Sequence, residues 1–169
     1  MSDRPTGGTG PVRVALPDPP SPRGSYVPWA RYEDLVVTAG MTPRDAQGQL
    51  IARGLVGGTV DIELAGRAAA QAARNALAAV VGAAGGLDRV EQCLRMSVFV
   101  ACVDGFEDLS AVADAASDEL ESHLGPGRRP ARSAIGVRAL PGGAPIEIEL
   151  TAVVRAPRTA VAADRPAAP

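Results

Sequence analysis

Polar and apolar positions change rhythm several times along this chain, and each change marks an element. Ser25 to Tyr32 reads as a first strand. Asp34-Leu35-Val36-Val37-Thr38-Ala39-Gly40 is a short apolar run closed by glycine, which predicts a buried strand. Arg44-Asp45-Ala46-Gln47-Gly48 is turn chemistry, and with Gln49–Arg53 after it predicts a hairpin. From Asp61 to Ala84 the period becomes helical. Ile62, Ala65, Ala69, Ala73, Leu77, Val80 and Ala84 recur at steps of three and four, Glu63 and Arg67 pair on the other face, and Gly85-Gly86 ends the helix.

Val90 to Ala101 is rich in Val, Leu and Met and predicts a long strand. Phe106 to His123 predicts a second helix, with Leu109, Ala113, Ala116 and Leu120 as its buried stripe. Asp114, Asp118 and Glu121 form a solvated acidic face, His123 is a favourable charge at the C-terminal end, and Gly125-Pro126-Gly127 is the stop. Ala131–Leu140 and Pro145–Arg155 are two further strands, and Pro141-Gly142-Gly143 between them predicts a hairpin. Ile146-Glu147-Ile148-Glu149-Leu150 alternates strictly, so one strand face is apolar and the other carries two carboxylates.

The predicted order is β-β-β-α-β-α-β-β. It belongs to the α+β class, a mixed sheet with two helices on one face. The other face also carries apolar residues and no helix remains to cover it, so another subunit is the expected cover. Residues 1–22 hold six prolines and no apolar periodicity, and residues 157–169 are rich in Ala and Pro. The expected organisation is a flexible arm over 1–22, one folded domain over 23–156 and a disordered tail.

Composition narrows the chemistry. Aromatics are 3% of the residues, so the core is built from Ala, Val, Leu and Ile. With a net charge of −2 and no Lys/Arg stripe interleaved with aromatics, nucleic acid is not the expected partner. No stretch reaches the roughly 18 apolar residues of a membrane span, and no signal peptide is recognised, so a cytoplasmic location is expected. Cys93 and Cys102 fall on one predicted strand, roughly 30 Å apart. A disulfide needs Cα atoms within about 7 Å, so both are expected as reduced, half-buried thiols. One His leaves no familiar zinc-ligand spacing. Gly7-Gly8-Thr9-Gly10 is not framed by a strand and a helix, so it is no phosphate loop.

Several stretches resemble the RidA/YjgF family. Gly24-Ser25-Tyr26-Val27, with Gly40 fourteen positions after the tyrosine, is similar to its first two strands. Met96-Ser97-Val98-Phe99-Val100, an acidic loop and Phe106 are similar to its central strand and second helix. Pro130-Ala131-Arg132-Ser133, then Leu140-Pro141, then Ile146-Glu147-Ile148-Glu149 resemble its C-terminal signature. The resemblance covers about residues 20–156 and implies a chorismate-mutase-like (bacillus type) subunit, assembled as a homotrimer with clefts between neighbours. It implies a cofactor-free enzyme that hydrolyses small 2-imino or enamine acids to 2-keto acids and ammonia, or a relative running a related imine reaction in a specialised biosynthetic pathway.

In that frame Arg132 binds the carboxylate of a small-molecule substrate, because a planar guanidinium can bond both oxygens. Gly40 and Ala134 line the binding site, Glu147 orients or deprotonates water, and Tyr26 forms the cleft wall and donates a hydrogen bond. A plainer reading makes Arg132 and a glutamate on a neighbouring strand a cross-strand ion pair. Two positions depart from the family pattern. Ala134 stands where a Cys or small polar residue is common, and Asp114 where an Asn is common. An alternative is therefore a non-catalytic trimer that binds a metabolite or a protein.

Overall fold

The computed structural model describes residues 15–19, 21–22 and 24–155. Most of the expected arm, with its Gly7-Gly8-Thr9-Gly10 stretch, and the expected tail over 157–169 lie outside them. Five strands and two long helices build the fold: β1 (Trp29–Tyr32), β2 (Leu35–Thr38), α1 (Ile62–Ala84), β3 (Val90–Ala101), α2 (Leu109–Leu124), β4 (Ala131–Val137) and β5 (Ile146–Val154). The sheet order is β1-β2-β5-β3-β4. All neighbours are antiparallel except β3 and β4, which run parallel. A parallel pair needs a crossover, and α2 supplies it.

The expected class holds: a mixed sheet with two helices on one face. The expected hairpin at Pro141-Gly142-Gly143 does not. That segment is a single 3-10 turn, and β4 and β5 are not neighbours. β5 inserts between β2 and β3 because its apolar face (Ile146, Ile148, Leu150, Ala152, Val154) is fully buried. β4 carries Arg132 and Gly136 and has no such face, so it takes the edge. The third expected strand is also absent. Residues 49–53 make one isolated bridge, Arg44 to Leu50. Ile51 N–H donates to the Pro43 carbonyl, but Pro43 has no N–H to return, so the ladder cannot continue.

Helix α1 starts where Asp61 caps it, its carboxylate accepting from the Leu64 N–H at 2.7 Å. Gly85, at φ 80°, ends it in the left-handed conformation. Two faces are buried instead of one stripe. Ala65, Ala69, Ala73, Leu77 and Val80 are buried as expected, and Ala68, Ala72, Ala76 and Ala79 join them, since α1 packs on both the sheet and α2. Ile62 is a correction: in the first turn it is 47% exposed.

Helix α2 begins three residues later than expected, after the turn at Gly105 (φ 79°). Its acidic face is not simply solvated, because arginines from the following segment bind it. Arg129 meets Asp118 at 2.7 Å and Glu121 at 2.8 Å, and Arg132 meets Asp114 at 2.8 Å. His123 is buried, not a surface charge, with Nε2 2.9 Å from Glu119 Oε1. Cys93 is fully buried and burial pushes its thiol up to about 12, while Cys102 is partly exposed; both are free. Near the amino terminus Leu16 packs against the core.

Candidate functional site

Register divides the sheet into two faces. Met96 of β3 aligns with Leu150 of β5 and Arg132 of β4, and this row faces the helices. Phe99 aligns with Glu147 and Ile135, and that row faces away from them. The predicted site residues therefore fall into two groups within one chain.

Tyr26, Gly40 and Glu147 come together in the first group. They line a cleft of about 110 Å³ with Met41, Thr42 and Asn75. Met41 bridges to Ile148, which holds the backbone beside β5 just past the end of β2. The approach of Gly40 to Glu147 needs a residue without a side chain. A Cβ at Gly40 would lie 2.6 Å from Glu147 Cδ and 2.8 Å from Cγ. Tyr26 is 51% exposed.

Glu147 is half-buried. Loss of water raises its carboxyl above the usual carboxylate range, and the neighbouring Glu149 charge adds to the shift. Glu149, on the same strand face, is exposed and does not line the cleft.

Arg132 and Ala134 form the second group, on β4, with β3 between them and β5. Both face the helix layer. Arg132 Nη1 donates to Asp114 Oδ1 and Ser117 Oγ, each at 2.8 Å, so its partners lie on α2. The cross-strand pairing with a glutamate is thus a correction, since β4 and β5 are not adjacent. Asp114 is an exposed competitor for any anion that Arg132 would bind. Ala134 packs against the core and offers no hydrogen bond.

The sequence reading missed Asn75. It is buried on α1, and its Nδ2 donates to the carbonyls of Thr42 at 2.9 Å and Arg44 at 3.0 Å. Its Oδ1 accepts from Gln71 Nε2 at 2.9 Å. The chain of bonds continues through Gln71 Oε1 and Arg74 to Glu119 and His123, with Arg74 Nε 2.8 Å from Glu119 Oε1. Partial burial pushes the Glu119 carboxyl up, but its hydrogen bonds with Arg74 and His123 together outweigh that and hold it below the usual carboxylate range. This polar line between α1 and α2 fixes the 42–44 backbone that forms the cleft wall. A polar residue amid the alanines of α1 was the only signal for it.

Residues 17–154 match the family described as endoribonuclease L-PSP. This chain belongs to that family, which is the RidA/YjgF family. Protein TCP17 of Trypanosoma cruzi is 31% identical to it over 138 residues, covering 80% of this chain and 85% of that protein. Protein Atu1372 of Agrobacterium tumefaciens, of unknown function, is 34% identical with a TM-score of 0.76, covering 80% of this chain and 86% of that one. TdcF of E. coli, solved with bound serine, is 25% identical with a TM-score of 0.61, covering 84% and 97%. Backbone similarity is thus greater to Atu1372 than to TdcF. The fold is that of YjgF, the chorismate-mutase-like arrangement. Among the described residues no helix is long and apolar enough to cross a membrane.

Proposed function

We propose that this chain hydrolyses 2-imino or enamine acids to 2-keto acids and ammonia, without a cofactor, in clefts completed by a neighbouring subunit of a homotrimer. The observation that carries the reading is Glu147. A half-buried carboxyl that burial holds above the usual carboxylate range, set in a cleft beside Tyr26, is suited to take up and return a proton. The imino tautomer is the species that reacts. Water adds to the imine carbon, its oxygen forming the new C–O bond as the C=N π pair moves to nitrogen. Glu147 takes a proton from that water and returns it to the nitrogen. Glu147 then takes the hydroxyl proton and passes it to the nitrogen, so that the C–N bond breaks as C=O forms and ammonia leaves. One water is consumed and no electrons are exchanged. Tyr26 donates a hydrogen bond to the substrate.

Arg132 holds the substrate carboxylate in this reading. It stands on the other sheet face and two strands away from Glu147, so one chain cannot bring both to one small acid. Arg132 lies on the edge strand β4, so a neighbouring subunit docked along that edge would present one group of residues to the other. Serine bound to TdcF supports a small carboxylate-bearing ligand in this family.

A second reading has one specific observation behind it. Ala134 cannot hydrogen-bond a water, which favours a trimer that binds a metabolite or a protein without turning it over. RNA cleavage, named in the family description, has less support here, with a net charge of −2 and both Arg129 and Arg132 already ion-paired.

The test is ammonia release from freshly generated 2-iminopropanoate and 2-iminobutanoate by wild type and Arg132→Ala. Acceleration by wild type, lost in the variant with the assembly intact by light scattering, is the expected result. No acceleration by well-folded wild type overturns the deaminase reading and leaves the binding one.

A further inference from the structure

The Glu147 cleft is not closed at its outer end. Ser21, Arg44 and Asn75 line it, and the same three residues line a second, larger cavity of about 670 Å³. One wall of that groove is the arm: Leu16, Pro17, Pro19 and Pro22. The facing wall is the Arg44–Gly48 turn.

Both walls are held. Asp45 Oδ1 accepts from the Gln47 and Gln49 N–H groups at 3.0 and 2.8 Å, and Arg44 Nη1 donates to the Gly48 carbonyl at 2.9 Å. The arm is seated on α1 at Gly82, where a Cβ would come within 2.8 Å of Pro19 Cγ and 3.2 Å of the Trp29 ring. Leu16 anchors its other end against the core.

The shared lining residues Ser21, Arg44 and Asn75 join the two cavities into one site. Small-molecule sites usually measure roughly 300–1,000 Å³. The cleft of about 110 Å³ falls well below that range, and the groove beside it falls inside it. We propose that the groove is the side-chain subsite of the Glu147 cleft, so that the substrate class is a 2-imino or enamine acid with a long apolar side chain.

The lining selects for that class. Leucine and three proline rings offer apolar contact along one wall. Asp18 and Asp45 outnumber the single basic residue, Arg44, so an acidic side chain meets net repulsion. The imine end stays at Glu147 and Tyr26. This proposal rests on the imine-hydrolysis reading for its reaction, but the groove can be tested apart from it.

The experiment uses the full chain and 2-imino acids generated in place from alanine, tryptophan and glutamate. Wild type is expected to show kcat/KM about tenfold or more higher for the tryptophan-derived acid than for the alanine-derived one, with the glutamate-derived acid poorest. Two variants probe the groove. Ala46→Trp adds bulk at an exposed position of the turn, and Gly82→Ala displaces Pro19 while improving the propensity of α1. Each is expected to lower the long-to-short ratio about tenfold. A wild-type ratio near one, or a ratio that neither variant moves, overturns the proposal while the deaminase reading stands. If no acid is turned over, the deaminase reading fails. Calorimetry with the corresponding 2-keto acids then decides the groove: preferential binding of the indole-bearing acid, weakened by Ala46→Trp, sustains it, and equal or absent binding overturns it.

Discussion

Gly40→Ala separates the chemistry of the cleft from the stability of the fold. The added methyl would lie 2.6 Å from Glu147 Cδ, whereas carbon atoms in contact sit about 3.5–4.0 Å apart. The carboxyl must retreat by roughly 1 Å from its place in the cleft. Misplacing a catalytic group by about 1 Å can cost roughly 100-fold in rate, which corresponds to about 2.7 kcal/mol of transition-state stabilisation. The backbone itself should tolerate the change. Gly40 does not have the positive φ of Gly48 or Gly54, so alanine incurs no left-handed strain there. Replacing glycine at a compatible position restricts the unfolded chain and contributes about 0.4–1 kcal/mol of stability, which offsets part of the crowding. The expected result is kcat/KM for ammonia release lowered about 100-fold with Tm within a few degrees of wild type. Ammonia release at several substrate concentrations and a thermal melt followed by circular dichroism supply both numbers. Unchanged kcat/KM at unchanged Tm would show that Glu147 does not need its position beside Gly40, and would remove it from the mechanism.

Two further predictions concern charge. The folded-state pKa of Glu147 is raised, so its ionisation opposes folding; that cost is present above the folded pKa and disappears as pH falls through it. Glu147→Gln should therefore raise Tm at pH 7 and have less effect at pH 4, while removing the acidic limb of the pH–kcat/KM profile, which in wild type should lie above the ordinary glutamate range; a limb retained in the variant would assign it to another group. Asp114→Asn releases Arg132 Nη1 from an exposed ion pair at 2.8 Å. Such pairs are worth about 0.2–1 kcal/mol, so Tm should fall only slightly, while the affinity for a small carboxylate measured by calorimetry should rise by up to about fivefold. No gain in affinity would mean that Asp114 does not compete with the ligand.

Much of the fold was legible because much of it is local. The 3.6-residue period of α1 and its Gly85 stop each act through immediate neighbours in the chain. The alternation at Ile146–Leu150 likewise told which side of β5 is buried. Strand partners were not legible. Pro141-Gly142-Gly143 does turn the chain, but a turn does not say which strand the next segment meets, and burial of five apolar side chains on β5 decided that.

The site divides along the same line. Residue types and spacing, taken with a family likeness, selected Tyr26, Gly40, Arg132, Ala134 and Glu147. Tertiary structure alone put the first two beside Glu147, set Arg132 on the opposite sheet face against Asp114, and brought Asn75 from α1 to hold the cleft wall. Those outcomes depend on register and on the packing of α1 against α2, contacts between residues far apart in sequence. The sequence by itself determined which side chains could do chemistry, because that is a property of each residue. Which of them meet was decided only when the sheet closed, because strand order is settled by the burial of whole faces and not by any short stretch of chain.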